Sequence, residues 1–295
     1  MRISHLMAQS KVTSDMSHAR EVRDKAASQI SSGKKITRLS DDPAGAMEAL
    51  RARRELQRAE IYSVQSQDAV GWLDNYDSLL SQFSDRLLRV REVSLYGQNT
   101  GSAGPEVADA LADEILSIKT ELLALANSRY TGKPLFAGAQ NPASVYNASE
   151  LYAGDSTPYM RNVAPGVSLA VSIPGPDVFG VDGSGTQLFQ TLTILENQVR
   201  TANSAGITSS INNLDVARER IETNRISVGV KTTTVEAVRT QREVANETLS
   251  RQISLVEDAD LAEASIEFNS AQTAYNATLA TAARLFESSL VNYLR

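Results

Sequence analysis

The chain has 295 residues, enough for one large domain or two to three small ones, and it contains no cysteine, which excludes disulfides, thiolate metal sites and cysteine nucleophiles. It carries 29 Lys and Arg against 35 Asp and Glu, and this net charge of −6 gives no general reason to expect a nucleic-acid partner. Aromatic residues make up 5%, a scarcity that suits long helices with Leu, Val and Ala seams better than a compact enzyme.

The N-terminal MRISHLMAQS lacks the apolar stretch of a secretory signal, so no cleaved leader is expected. No run of the chain approaches the ~18 apolar residues of a membrane span. The first predicted helix has a loose stripe of Val12, Met16, Ala19, Val22 or Arg23, Ala26 and Ile30, interspersed with Ser and Thr. Alone it buries too little to offset chain ordering, at about 1–2 kcal/mol per residue. The stretch ISSGKKITRLSDDPAG then stops and restarts the chain. Gly33 suits the left-handed position after a helix end, and Lys34, Lys35 and Arg38 complement the dipole of that end. Asp42 is placed as the next N-cap with Pro43 at the first helical position, and Asp41 adds negative charge there. The segment therefore predicts an elbow between two helices.

Beyond the elbow, Ala69, Leu73, Tyr76, Leu80, Phe83, Leu87 and Val90 recur at alternating steps of four and three, the spacing of a helix that faces a partner along one seam. GQNTGSAGP (97–105) breaks the pattern, and Leu111, Ile115, Ile118, Leu122 and Leu125 resume it, so two helices form an antiparallel hairpin. From Pro134 to Gly185 the character changes, with six of the eight prolines and many glycines. Val167, Leu169, Val171 and Ile173 alternate with small residues as in a half-buried strand, while Leu151–Tyr152 and Tyr159–Val163 are weaker strand candidates. Asp182–Thr186 turns the chain into another helix from Gln187. A seven-residue period follows at Leu214, Ile221, Val228, Val235, Arg242, Leu249 and Val256, beside a half-polar second row. At the C-terminus Phe268, Ala271, Tyr275, Leu279, Ala282, Phe286, Leu290 and Tyr293 follow an eleven-residue repeat, which suits a straight helix. The expected fold class is mainly α with a small β insert, in which the two helical ends meet as long antiparallel helices.

Candidate chemistry is sparse. His5 and His18 lie thirteen apart without acidic companions at metal-ligand spacing. Asp41–Asp42 read as a cap rather than a catalytic pair. Asp182–Thr186 lacks the lysine of a phosphate-binding loop and the alternating oxygen ligands of a calcium loop. Asn147, Asn246 and Asn276 begin glycosylation triplets by pattern alone, and Asn276 adjoins an apolar stripe. No catalytic residue, cofactor or metal is expected.

Several stretches resemble the bacterial flagellin family. SSGKKITRLSDDPAGA is similar to its N-terminal signature, and Asp-Asp-Pro resembles the hook-associated branch. LLRVREVSLYGQNTG resembles the Arg-Val-Arg-Glu helix of flagellins, and YTGKPLFAG resembles a turn of the hook–filament junction members. The insert YAGDSTPYMRNVAPGVSLAVSIPGPDVFG and the C-terminal stretch beginning DADLAEASIEF resemble the same branch, whereas 208–242 carries periodicity without a residue-level signature. The resemblance implies a coiled-coil rod built from both termini and three domains. These are an assembly core of 1–42 plus 255–295, a helical rod of 43–133 plus 187–254, and a β-rich outer domain of 134–186. It implies an assembly interface at Ile3, Leu6, Met7, Val12, Met16, Phe268, Ala271, Tyr275, Leu279, Ala282, Phe286, Leu290 and Tyr293, with Gly33, Asp41, Asp42 and Pro43 as the elbow. It further implies a structural adaptor at the hook–filament junction. The expected partners are further copies of the chain, a hook-side junction protein, flagellin and an export chaperone. Export would run through the flagellar secretion channel to the extracellular flagellum. A short filament flagellin is the alternative, and a membrane-binding or effector protein with amphipathic helices a more distant one.

Overall fold

The computed structural model describes residues 2–99 and 104–293, giving the backbone course alone for 2–6, 8, 9, 99 and 284–293. Among the described residues seven helices and four short strands run in the order α1 (Arg2–Ser32), α2 (Pro43–Asn99), α3 (Pro105–Ala126), β1 (Arg129–Tyr130), β2 (Lys133–Pro134), β3 (Met160–Ala164), β4 (Val167–Ala170), α4 (Gly175–Phe179), α5 (Leu188–Arg200), α6 (Ser204–Glu257) and α7 (Leu261–Tyr293). The chain forms two compact units, one of 1–58 with 244–295 and one of 59–243.

The second unit holds the large core. The whole stripe from Ala69 to Val90 is buried, because alternating steps of four and three return the same face of α2 to its neighbours. On α3 the seam shifts by one position toward its ends: Ala112 and Ala126 are fully buried, whereas Leu111 and Leu125 are only partly so. Arg86 pairs with Glu121 at 2.8 Å and Arg89 with Glu114 at 2.8 Å, so α3 runs antiparallel to α2. Arg91–Asp215 at 3.2 Å and Arg225–Asp77 at 2.9 Å do the same for α6. On α6, Leu214, Ala217, Ile221, Val228 and Val235 are buried.

The segment 134–186 does not build a core of its own. The one sheet that lies wholly within it, β3 with β4, has two strands, too few to bury an apolar face alone. Leu135, Phe136, Tyr146, Val163, Val171 and Phe179 instead enter the core formed by the helices. Phe179 lies 4.7 Å from Phe83 and 4.9 Å from Phe136, ring centre to ring centre. β1 and β2 are joined through Thr131 (φ 48°) and Gly132 (φ 80°), the double left-handed geometry of a tight hairpin turn. β3 pairs antiparallel with β4, which ends at Ala170, short of the Ile173 the alternation implied. Leu151–Tyr152 yields only an isolated bridge between Tyr152 and Tyr146. The loop carrying Glu150 is held by a network in which Lys119 Nζ donates to Glu150 Oε1 and to Thr193 Oγ1, each at 2.8 Å, and Thr193 donates to Glu150 at 2.7 Å.

Tyr76 links the helical and β parts of this core. Its hydroxyl donates to Leu135 O and accepts from Ile173 N at 3.1 Å, and burial pushes the phenol well above its ordinary pKa. Tyr76→Phe keeps the ring and leaves two buried backbone groups unpaired. It is expected to lower unfolding free energy by about 1–3 kcal/mol, measured by denaturant titration.

Candidate assembly surface and elbow

In the first unit α1 packs antiparallel along α7, and the start of α2 and the end of α6 complete it. Among its described residues the buried apolar side chains are Ala26, Ala46, Ala49, Ala52, Ala264, Ala271 and Ala282, all alanines. Val12 and Met16 on α1, and Phe268 and Tyr275 on α7, are half-buried. The Arg23 guanidinium lies 4.7 Å from the centre of the Tyr275 ring and bridges the two helices.

The seam on α7 runs through Ala264, Phe268, Ala271, Tyr275, Thr278 and Ala282, with half-buried Ser265 and Gln272 beside it. The seam positions step by four and three, a seven-residue period, rather than the eleven-residue repeat expected from the sequence. A helix that follows one partner keeps a 3.5-residue period. Thr278 therefore turns inward, and Leu279 is left 41% exposed. Met7 is 71% exposed. The side chains of Ile3, Leu6, Phe286, Leu290 and Tyr293 lie outside the described residues. Sequence periodicity did not single out a further set of outward apolar residues in this unit: Met47, Leu50, Leu255, Leu261 and Ile266. Leu255 and Ile266 are 84% and 72% exposed. They sit off the seam, and only the packing shows that no described side chain of the unit covers them.

Gly33 follows α1 with φ 68°, and its N–H donates to Gln29 O at 2.9 Å. Asp42 Oδ1 accepts from Ala44 N at 3.1 Å and Gly45 N at 3.0 Å, with Pro43 opening α2. Asp41 Oδ2 accepts from Arg38 N at 2.8 Å, Thr37 N at 3.2 Å and Thr37 Oγ1 at 3.1 Å, closing the loop on itself.

The elbow also meets the break between α6 and α7. Lys35 N donates to Glu257 O at 2.6 Å and Ala259 N donates to Gly33 O at 3.0 Å, forming a short antiparallel bridge. Glu257, 8% exposed, accepts from Lys34 Nζ at 3.3 Å and from Arg53. Asp260 caps α7 through Ala262 N at 2.8 Å and Glu263 N at 3.2 Å. No signal in the sequence pairs residues this distant.

Hydrogen bonds, first from the Arg38 amide and then from Thr37, hold the Asp41 carboxyl below its ordinary pKa. A depressed folded-state pKa contributes stability above the unfolded value of about 3.9, and the contribution is lost as pH falls through the folded value. Exchange protection of the Thr37 and Arg38 amides is therefore expected to drop in acid. In Asp41→Asn this pH dependence should be absent, as read by hydrogen exchange corrected for intrinsic rates.

Among the described residues no group of His, Asp or Glu is placed to hold a metal ion, and no helix is long and apolar enough to cross a membrane. His18 is exposed. The family model for the bacterial flagellin N-terminal helical region matches residues 3–141. The chain is 25% identical to flagellin of Bacillus subtilis over 280 residues, 91% of this chain and 90% of that one. It is 26% identical to flagellar hook-associated protein 3 of Salmonella typhimurium over 181 residues, 61% of this chain and 57% of that one. In fold it matches a flagellar hook-associated protein from Vibrio parahaemolyticus with a TM-score of 0.69 at 19% identity, covering 74% of this chain and 99% of that structure. The flagellar junction protein of Legionella pneumophila matches with a TM-score of 0.58 at 16% identity, covering 72% and 100%. Residues 3–141 thus match the helical region of bacterial flagellins in sequence, and most of the chain shares the fold of flagellar hook-associated proteins.

Proposed function

We propose that this chain is a structural adaptor subunit at the hook–filament junction of the bacterial flagellum, without enzymatic activity. Its copies assemble through the α1–α7 pair and the adjoining ends of α2 and α6. On this reading residues 1–42 and 255–295 form the assembly core, and the interface includes Met7, Val12, Met16, Phe268, Ala271, Tyr275, Leu279 and Ala282. Ile3, Leu6, Phe286, Leu290 and Tyr293 extend it. The elbow at Gly33, Asp41, Asp42 and Pro43 ends the core. The ring joins a hook-side junction protein to flagellin. The subunit reaches the outside through the flagellar secretion channel, aided by a chaperone.

The observation that carries this reading is that, among the described residues, the paired helices bury only alanines among their apolar side chains while Leu255, Leu261 and Ile266 face outward. Each such side chain gains about 1.5–3 kcal/mol when a neighbour covers it. The hook-associated protein of Salmonella typhimurium and the hook-associated folds support the junction rather than the filament. A filament flagellin is the second reading, favoured by the match along 90% of the Bacillus subtilis flagellin. Electron microscopy of purified subunit separates the two: an adaptor stops at short collars, whereas a flagellin extends seeds into long filaments. A deletion strain with bare hooks and flagellin shed into the medium is the expected phenotype of the adaptor.

Because Leu255 and Ile266 are exposed in the single chain, Leu255→Ser with Ile266→Ser should leave the monomer's melting temperature nearly unchanged. The same pair should weaken assembly at least tenfold in sedimentation, since about 1.4 kcal/mol is a factor of ten. Unchanged assembly would remove this surface from the interface.

A further inference from the structure

We propose that Tyr159 is a nucleophilic phenol, a modification site at which this chain takes electrophiles of the acyl, sulfonyl or phosphoryl class. It belongs wholly to the second unit, so the inference stands apart from the assembly reading. The ring is flanked by two cations. Lys133 Nζ, from β2, lies 4.0 Å from the ring centre and donates to the hydroxyl at 2.9 Å. The Arg161 guanidinium, from β3, lies 4.2 Å from the ring centre. Asp68 of α2 is the acid beside them, and it is engaged by Arg161 Nε at 2.6 Å. Trp72 of α2 supports the ring at 5.7 Å, and Ser172 Oγ accepts from Tyr159 N at 2.6 Å, fixing the residue from behind.

The phenolate is the nucleophilic form of a tyrosine, and nearby cations that hydrogen-bond it raise its population. The Lys133 hydrogen bond, followed by the contacts with Arg161, draws the Tyr159 phenol below its ordinary pKa. The buried tyrosines shift the other way. Tyr76 and Tyr146 are pushed far up by burial, and Tyr152 is pushed up to about 12. Tyr159 is half-buried, so an electrophile can reach its oxygen, while Tyr96, at 61%, is far more exposed. Exposure and electrostatics thus favour different tyrosines among the nine.

An aryl sulfonyl fluoride decides between them. The phenolate oxygen attacks sulfur, the S–F bond breaks and fluoride leaves. The phenol proton passes to solvent base, and the Lys133 ammonium stays protonated as the hydrogen-bond donor. The full chain is labelled at low conversion and the sites are mapped by mass spectrometry. Tyr159 is expected to react first, and Lys133→Met to slow it severalfold, with Tyr96 unchanged. Lys133→Arg should restore most of the rate. Lys133 is exposed, so these variants test the site without disturbing the core. Labelling of Tyr96 or of Lys133 ahead of Tyr159, or a rate in Lys133→Met equal to that of the parent, would overturn the proposal.

Discussion

Among the described residues of the first unit every buried apolar side chain is an alanine, and this sets what the two ends of the chain can do. One methyl group lets two helices approach closely while removing little surface from water, at about 0.8 kcal/mol per buried carbon. Ordering the backbone costs about 1–2 kcal/mol per residue. Helices of 31 and 33 residues, α1 and α7, are poorly held by such a seam alone. The larger side chains that could deepen it, Leu255 and Ile266 among them, face away. Close approach combined with outward apolar residues suits helices that meet several neighbours rather than one.

The second unit follows the opposite rule. α2 places Trp72, Tyr76 and Phe83 inward, and the segment after α3 returns Phe136, Tyr146 and Phe179 to meet them. Rings of this size remove much area per residue and pack edge-on, as Tyr76 does against Phe136 at 5.2 Å and 85°. The two short sheets need no core of their own because their inward side chains complete that of the helices. The surface ion pairs along α2, such as Arg86–Glu121, are exposed and worth at most about 1 kcal/mol each; they align the helices more than they stabilise them.

Much of this was legible in residue order. The steps of four and three from Ala69 to Val90 named the buried face of α2 because those side chains are large, so their burial dominates every alternative. Asp42 before Pro43 reads as a helix start because capping is local chemistry. The reading weakened where the choice lay between small residues. Ala112 and Ala126 replace Leu111 and Leu125 at full burial, and Thr278 replaces Leu279, since close helix approach favours the smaller group whatever its hydrophobicity. Contacts between distant residues were invisible: Lys119 with Glu150 and Thr193, or Lys34 and Arg53 with Glu257. These depend on topology, which spacing along one helix does not report.

The Glu257 contacts answer a difficulty that the alanine seam creates. Where the buried apolar side chains of the seam are methyl groups there are few distinct knobs, so sliding α1 along α7 is weakly opposed there. Register must come from groups that fit in one place only. A carboxylate 8% exposed is costly unless its partners are present, so any slip that separates it from Lys34 and Arg53 is penalised by desolvation without compensation. Its backbone carbonyl is bound as well, to Lys35 N, and the Gly33 carbonyl receives Ala259 N, so the two helix breaks can face each other in only one alignment. Arg23 on the Tyr275 ring repeats the constraint farther along the pair. Polar contacts thus fix the register of the pair, and the apolar residues left outward remain free to set its affinity for neighbours.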